Sequence, residues 1–214
     1  MSLSPQYQRD WPAYFDAVAD QPPRDTLLRA LAAFDAERAL PTAPAAIDLA
    51  CGEGRDTRAI LASGPSFHVH AVDNSPDALS RLRARLTAAQ ARRVTPVALA
   101  LEHVADRPHL FPAHAHLINA SFALPFCHED HFPRLWAWIT STLLTGGRFS
   151  GQIFGDRDEW AAVNPRRHFT RVETLDLLSP FHIEHFEEVE KDGSDATGGT
   201  KHHHLFHIVA RKRA

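Results

Sequence analysis

The sequence predicts an α/β fold built on a doubly wound, mostly parallel sheet. Strand-like and helix-like segments alternate from about residue 45 to residue 154, as a parallel sheet requires. An apolar stretch at residues 45–50 runs into a turn that contains Gly52 and Gly54, and a second stretch at residues 67–73 ends in Asp73. Glycine turns and acids at strand ends are typical of nucleotide-binding sheets, which hold ligands beyond the carboxyl ends of their strands.

The expected elements follow the hydrophobic periodicity and the turn residues of each segment. Ser75 and Pro76 suit a helix start, and Thr170 with Glu173 has the spacing of a capping box. Pro96 weakens the third strand, because proline cannot donate a ladder hydrogen bond. In chain order we expect strands near 45–50, 67–73, 94–101, 114–120 and 147–154, and helices near 55–63, 76–91, 130–144 and 170–179.

Residues 1–40 are expected to form a helical cap that belongs to the same domain as residues 41–214. Leu27, Leu28, Leu31 and Phe34 recur at near-helical spacing. A proline-rich stretch at residues 41–44 then ends the segment.

The glycine turn argues for a nucleotide-type cofactor. Asp48 and Asp73 are 25 positions apart, close to the spacing at which this fold places a carboxylate on the ribose hydroxyls. The full Gly-x-Gly-x-x-Gly pattern of NAD-binding proteins is missing, since no glycine follows Gly54 until Gly64. A pyrophosphate needs those glycines in order to approach the backbone, so NAD is the less favoured cofactor.

Four segments carry a family resemblance. Two of them read Asp48-Leu49-Ala50-Cys51-Gly52-Glu53-Gly54 and Ala71-Val72-Asp73-Asn74-Ser75, and the others lie at residues 117–126 and 143–149. They resemble, in this order, the first motif, the second motif, the fourth strand with its following loop, and the turn into strand five of the class I S-adenosylmethionine-dependent methyltransferases. Thr145 replaces the usual proline of that turn. The tail, residues 167–212, resembles the tellurite-resistance branch of the family.

This resemblance implies a Rossmann-like, seven-stranded sheet that ends in an antiparallel hairpin near 181–190 and 202–211. It also implies S-adenosylmethionine as cofactor and a small molecule as methyl acceptor. Ala50 stands where the family usually has glycine, a change that a cofactor without phosphates tolerates. The residues expected to bind the cofactor are Asp48, Ala50, Cys51, Gly52, Gly54, Asp56, Asp73, Asn74, Glu102, His103, Asn119 and Arg24.

The adenine contact stays open among several residues. The family usually has an acid near the adenine amine, in the loop after the third strand. The register places Ala100 there, with Glu102 and His103 just after it and Asp106 as a rival. Backbone N–H groups are a further alternative.

The sequence names no catalytic base. Methyl transfer from a sulfonium depends on alignment and on exclusion of water, and the cofactor carries the difficult chemistry. Residues 152–158 and His168 are the candidates for a base, a substrate contact or a structural role.

The N-terminal segment is a candidate lid over the crevice. Tyr7, Trp11, Tyr14 and Phe15 form an aromatic group that suits contact with a substrate or a sulfonium. Arg24 suits a bidentate pair with the methionine carboxylate. The alternatives are a helix that only packs on the core and an arginine that only faces solvent.

Composition indicates an ordinary globular protein of one domain. The 214 residues are 44% hydrophobic and carry a net charge of -3, which gives no sign of a nucleic-acid partner. The two cysteines predict no disulfide framework, and neither a signal peptide nor a membrane span is evident. We expect a cytoplasmic monomer or homodimer.

The 15 histidines include a cluster at residues 202–204. In a strand, His202 and His204 face one side while His203 and His207 face the other. No third ligand accompanies either pair, so we expect no metal.

Three functions are therefore compared. The leading one is a small-molecule methyltransferase that uses S-adenosylmethionine. The alternatives are an NAD-dependent oxidoreductase and a non-catalytic protein that binds S-adenosylmethionine.

Overall fold

A computed structural model describes residues 10–19, 21–37, 40–162, 167–194 and 198–214. Its single sheet has seven strands in the order β3-β2-β1-β4-β5-β7-β6. The strands are β1 (Ala45–Leu49), β2 (His68–Asp73), β3 (Val94–Ala98), β4 (Ala115–Ala120), β5 (Leu143–Phe154), β6 (Phe181–Ser194) and β7 (Thr200–Lys212).

Helices precede the sheet and connect its parallel strands. They are α1 (Trp11–Val18), α2 (Asp25–Glu37), α3 (Arg55–Ala62), α4 (Pro76–Arg85), α5 (Ala88–Ala91), α6 (Phe132–Thr142) and α7 (Arg171–Leu177). The predicted capping box at the start of α7 is present, with Thr170 and Glu173 each bonding the other's backbone N–H. No helix of the described chain has the length and apolar character needed to cross a membrane.

The strand pairing confirms the predicted fold class. Strands β1 to β5 pair in parallel, whereas β7 pairs antiparallel with both β5 and β6. The strand order reverses between β1 and β4, and ligands of open parallel sheets bind at such a switch point. Pro96 is tolerated because β3 is an edge strand.

Three predicted boundaries were wrong. The third strand ends at Ala98, and a 3-10 helix, Leu101–Asp106, follows it. The single helix expected at 76–91 is two helices, because Thr87 forms a capping box with Gln90 and starts α5 anew. Strand β5 begins at Leu143, directly after α6, rather than near residue 147.

The C-terminal hairpin extends past the end of the sheet. Pairing of β5 with β7 stops at Phe154 opposite Leu205, while β6 and β7 stay paired out to Ser194 opposite Thr200. The overhang of β7 is five residues, 200–204, or roughly 15 Å of extended chain. The hairpin is thus longer than the predicted 181–190 and 202–211, and it rises beside the carboxyl ends of the parallel strands.

Buried side chains form one cluster on each face of the sheet. Leu27, Ile60 and Leu79, from α2, α3 and α4, belong to one cluster. Trp136 of α6 and Phe149 of β5 belong to the other. Residues of β1, β2, β3 and β4 divide between the two clusters, as the alternation of strand side chains requires.

Candidate active site

The turn after β1 brings the backbone to the edge of the crevice. Ala50 and Gly52 both have left-handed backbone conformations, with φ of 51° and 56°. The N–H of Cys51 donates to the carbonyl of Val72 at 2.8 Å, which ties the turn to β2. Ala50 thus adopts the left-handed conformation that glycine adopts more easily, and the turn forms although the family's usual glycine is absent.

Asp73 closes the same turn from the end of β2. One carboxylate oxygen accepts the N–H of Gly52 at 2.9 Å, and the other accepts the N–H of Ser75 at 2.8 Å. Each carboxylate oxygen can accept a second hydrogen bond, so the group keeps capacity for a ligand. Burial raises the pKa of Asp73, and the backbone donors oppose that effect.

A cavity of about 830 Å³ opens above these residues. This is near the upper end of the roughly 300–1,000 Å³ found for small-molecule sites, which leaves room for a cofactor and a second molecule. Of the predicted site residues, those that line it are Arg24, Ala50, Gly52, Asp73, Asn74 and Glu102.

Three other predicted site residues form a polar cluster behind the turn. The Asp48 carboxylate accepts from Thr57 Oγ1 at 2.6 Å and from Asn119 Nδ2 at 2.9 Å. Asn119 Nδ2 also donates to Asp56 at 3.3 Å. Burial, followed by the nearby charge of Asp56, raises the pKa of Asp48 to about 7. The cluster contacts a small side recess of the crevice through Asp48 and Asp56, whereas Asn119 is fully buried.

Gly54 and Cys51 also lie behind the main cavity. Gly54 has φ of 88°, and a Cβ there would lie 2.2 Å from Leu82 Cδ1 of α4. Glycine at this position is therefore required by the packing of α4 against the turn. The Cys51 thiol is buried beside the recess, and burial raises its pKa. Both cysteines are free in the structure.

Two arginines approach the recess from different elements. The backbone N–H of Arg24 and the Arg55 Nε both donate to Asp56, at 3.2 and 3.4 Å. Arg24 Nε and Arg55 Nη1 are buried and have no hydrogen-bond partner among the described residues. The Arg24 guanidinium also lies over the ring of Phe122 at 4.4 Å. Burial, with the charge of Arg55, lowers the pKa of Arg24.

The loop after β3 supplies another part of the wall. Leu99, Leu101 and Glu102 line the cavity, and one Glu102 oxygen accepts the N–H of His128 at 3.0 Å. The structure does not bring His103 into the cavity, because its side chain is exposed on the 3-10 helix. Asp106 instead forms an ion pair with Arg134.

Helix α1 covers one side of the crevice. Trp11, Tyr14, Phe15 and Val18 all line the cavity, and the ring of Trp11 lies 5.3 Å from that of Phe126, in the segment after β4. The aromatic group predicted from the sequence is therefore at the site, apart from Tyr7, which lies outside the described residues.

Sequence reasoning missed most of the opposite wall. Four aromatic side chains, one at the end of β5 and three in the segments after β4 and β5, face the cavity together with the overhanging hairpin. The sequence offers little signal for them, because aromatic residues near strand ends are also common at buried core positions. Phe154 belongs to the candidate stretch 152–158, and the residues that were missed are Phe126, Trp160, Glu187, Val189, Lys191, Lys201, His203 and His207.

The candidate loop at 152–158 is mostly structural. Gln152 bonds to Thr26 at 3.0 Å, and Asp158 forms a buried ion pair with Lys201 at 2.5 Å. The Nε2 atom of His168 lies 4.0 Å from Asp158 Oδ1, and the His168 side chain is buried. The described residues contain no group of three His, Cys, Asp or Glu side chains placed to hold a metal ion.

The histidines of β7 divide between its two faces, as predicted. His202 contacts Asp192 at 2.8 Å, and His204 contacts Glu188 at 3.0 Å, whereas His203 and His207 line the cavity.

Residues 46–147 match the family described as methyltransferase domain. No curated protein matches this chain significantly in sequence.

Solved structures share the fold at low sequence identity. TehB from Haemophilus influenzae matches with a TM-score of 0.71 at 14% identity, over 94% of this chain and 66% of its own, so this chain spans slightly less than two thirds of TehB. The 1,6-didemethyltoxoflavin-N1-methyltransferase from Burkholderia thailandensis, solved with S-adenosylhomocysteine, matches with a TM-score of 0.62 at 23% identity, over 95% and 85% of the two chains. The N-methyltransferase NodS from Bradyrhizobium japonicum matches with a TM-score of 0.61 at 15% identity, over 96% and 99%.

The chain therefore has the Rossmann-like fold of these methyltransferases, and residues 46–147 match a methyltransferase-domain family. The matched residues include the motifs at residues 48–54 and 71–75, on which the predicted resemblance to methyltransferases rests. TehB, a tellurite-resistance protein, is among the structures that share this fold.

Proposed function

We propose that this chain is an active enzyme that transfers a methyl group from S-adenosylmethionine to a small molecule in the crevice above Gly52 and Asp73. The observation that carries the proposal is the position of the Asp73 carboxylate. It is held by two backbone N–H groups at the edge of a cavity with room for two ligands. The ribose hydroxyls would donate to its remaining acceptor positions.

Residues around Asp73 suit the other parts of the cofactor. Arg24 Nε and Arg55 Nη1 lack acceptors, and a methionine carboxylate is an anion of the right kind to supply them. Leu99 and Leu101 offer apolar surface for the adenine ring, with Glu102 beside them as acceptor for its amine. Ala50, Gly52 and Asn74 line the path between these two ends.

The chain's contribution to transfer is positioning and exclusion of water. When bound, the cofactor supplies a methyl group already activated on a sulfonium. Trp11, Phe122, Phe126 and Trp160 surround the adjoining space with aromatic side chains, and these would keep water from the acceptor. We assign no residue as a general base. We also expect a cytoplasmic monomer or homodimer that acts without a nucleic-acid partner.

Transfer from methyl-labelled S-adenosylmethionine to a panel of small thiols, amines and phenols tests the proposal. Label in at least one acceptor, dependent on Asp73, is the expected result. Tight binding of S-adenosylhomocysteine without transfer to any acceptor would instead favour a non-catalytic binding protein.

A further inference from the structure

A chain of hydrogen bonds runs from the loop after β4 to a histidine in the wall of the cavity. The backbone N–H of Phe122 donates to Gln152 Oε1 at 2.9 Å. Gln152 Nε2 lies 3.0 Å from Thr26 Oγ1 and 3.4 Å from His207 Nδ1. All three contacts involve a glutamine side chain that is almost completely buried, so its amide is held in one orientation.

This chain determines which nitrogen of His207 carries the proton. A backbone N–H is only a donor, so the group facing Phe122 must be the Gln152 oxygen. The Gln152 amide nitrogen then faces Nδ1, and because that nitrogen is only a donor, Nδ1 must accept. A neutral imidazole with an accepting Nδ1 carries its hydrogen on Nε2.

The surroundings of His207 keep the ring neutral. Burial lowers its pKa, and the charges of His185 and Arg24 act in the same direction. Glu187, the residue opposite it on β6, and Asp25 act against this effect without reversing it.

Nε2 of His207 is therefore a donor without an acceptor. No described residue bonds to it, and it is absent from the fully buried unpaired atoms, so it reaches accessible space. The side chain lines the cavity, with its ring 6.2 Å from that of Phe122. The neighbouring surface is aromatic, since Phe122 contacts Phe154 at 6.1 Å and Phe154 stacks on Trp160 at 5.8 Å.

We propose that His207 determines acceptor specificity by donating its Nε2–H to a carbonyl or anionic oxygen of a planar methyl acceptor. This inference rests on the proposed function and names the substrate class for the same site. Flat aromatic walls suit a planar ring system, and a single fixed donor selects rings that carry an oxygen acceptor. With Nδ1 occupied and Nε2 protonated, His207 has no lone pair for the acceptor's proton. It is a positioning donor and not the base.

The first test is the tautomer, which can be measured without any acceptor. Two-bond ¹⁵N–¹H spectra of the imidazoles, with His207→Asn to assign the signal, should show Nε2 protonated and Nδ1 unprotonated near pH 7. Protonation on Nδ1, or a charged ring at that pH, would overturn the proposal.

The second test is binding of paired probes to the protein saturated with S-adenosylhomocysteine. The pairs are 2-hydroxybenzamide with phenol and 2-mercaptobenzamide with benzenethiol, which differ only in the carboxamide. In the wild type the benzamides should bind about tenfold more tightly, the effect of one well-placed hydrogen bond.

Two substitutions separate the donor from the packing. In His207→Gln the glutamine amide nitrogen lies near the position of Nε2, so this variant should keep the preference for the benzamides. In His207→Asn the shorter amide reaches only as far as Nδ1, so this variant should lose the preference for the benzamides. An unchanged preference in His207→Asn, or no binding by any probe, would overturn the inference. Failure of S-adenosylhomocysteine itself to bind would instead overturn the proposed function.

Discussion

Asp73 accepts the backbone N–H of Gly52 at 2.9 Å, and this bond joins the end of β2 to the glycine turn after β1. The same carboxylate also accepts the N–H of Ser75 at the start of α4. One side chain thus sets the shape of the turn and presents its free acceptor positions to the cavity. The two sequence motifs, separated along the chain, form a single structural unit.

Replacing Asp73 should weaken cofactor binding. Asp73→Ala should lower the affinity for S-adenosylhomocysteine by about 1.5–3 kcal/mol, because charge-assisted hydrogen bonds to the ribose are lost. Asp73→Asn keeps one oxygen acceptor, so its affinity for S-adenosylhomocysteine should lie between that of the wild type and that of Asp73→Ala. Calorimetric titration measures the affinities, and urea unfolding controls for the unpaired N–H groups of Gly52 and Ser75. Equal affinities for all three proteins would contradict the ribose assignment.

The two glycines of the turn should behave differently. A side chain at Gly52 points toward Phe15, 3.4 Å away at Cβ, and φ of 56° adds strain, so Gly52→Val should abolish cofactor binding at some cost in stability, in a protein that still folds by circular dichroism. Gly54→Ala should instead destabilise the fold by about 2–5 kcal/mol, from its backbone conformation and its clash with Leu82. Chemical denaturation distinguishes the two effects. If Gly54→Ala is as stable as the wild type, then α4 moves away from the added Cβ at little cost, and the prediction is wrong.

The segment before residue 25 should act as a lid. Its described aromatic residues line the cavity, and Trp11 contacts Phe126 across the crevice. Deleting residues 1–24 should lower cofactor affinity or turnover, while the strands from Ala45 onward still fold. A shorter deletion, of residues 1–19, keeps Arg24 and so separates the covering helix from the guanidinium.

Hydrogen exchange supplies the matching control for the lid. Amides of residues 10–19 should exchange more slowly when S-adenosylhomocysteine is added. Identical exchange with and without ligand, together with full activity of the shorter deletion, would show that α1 only packs on the core.

Much of the fold was predictable because each element has a local signal. The Ser75–Pro76 helix start and the Thr170 capping box depend only on neighbouring residues, and both are present. The break between α4 and α5 was missed although Thr87 and Gln90 have the same spacing, because the surrounding residues favour helix throughout.

The candidate site was predictable only where motif and cavity coincide. Asp73 and Gly52 lie at the crevice because strand ends of a parallel sheet always do. Asp48 and Asn119 lie one residue before the ends of β1 and β4, but their side chains turn inward to bond each other. The hairpin wall, including His207, depends on how far β6 and β7 extend past β5, and no local pattern encodes that length.

The buried Asp48 should make stability depend on pH. Its pKa in the folded protein is raised to about 7 from an ordinary value of 3.8, so the folded state favours the protonated form. Protonation of Asp48 in the folded protein therefore contributes stability that is fully present below about pH 4 and is lost as the pH rises through about 7. Asp48→Asn keeps an oxygen that accepts from Asn119 and does not titrate. Urea unfolding between pH 4.5 and 8, roughly the range of the shift, should show the wild type losing more stability than the variant. A difference between the two proteins that does not change with pH would contradict the raised pKa.

The central claim is that the crevice above Gly52 and Asp73 binds S-adenosylmethionine. Calorimetric titration of the full chain with S-adenosylhomocysteine and, separately, with NADH tests it most directly. We predict saturable binding of S-adenosylhomocysteine at one site per chain, weakened in Asp73→Ala, and no detectable binding of NADH. Binding of NADH in preference to S-adenosylhomocysteine, or no binding of S-adenosylhomocysteine, would contradict the assignment.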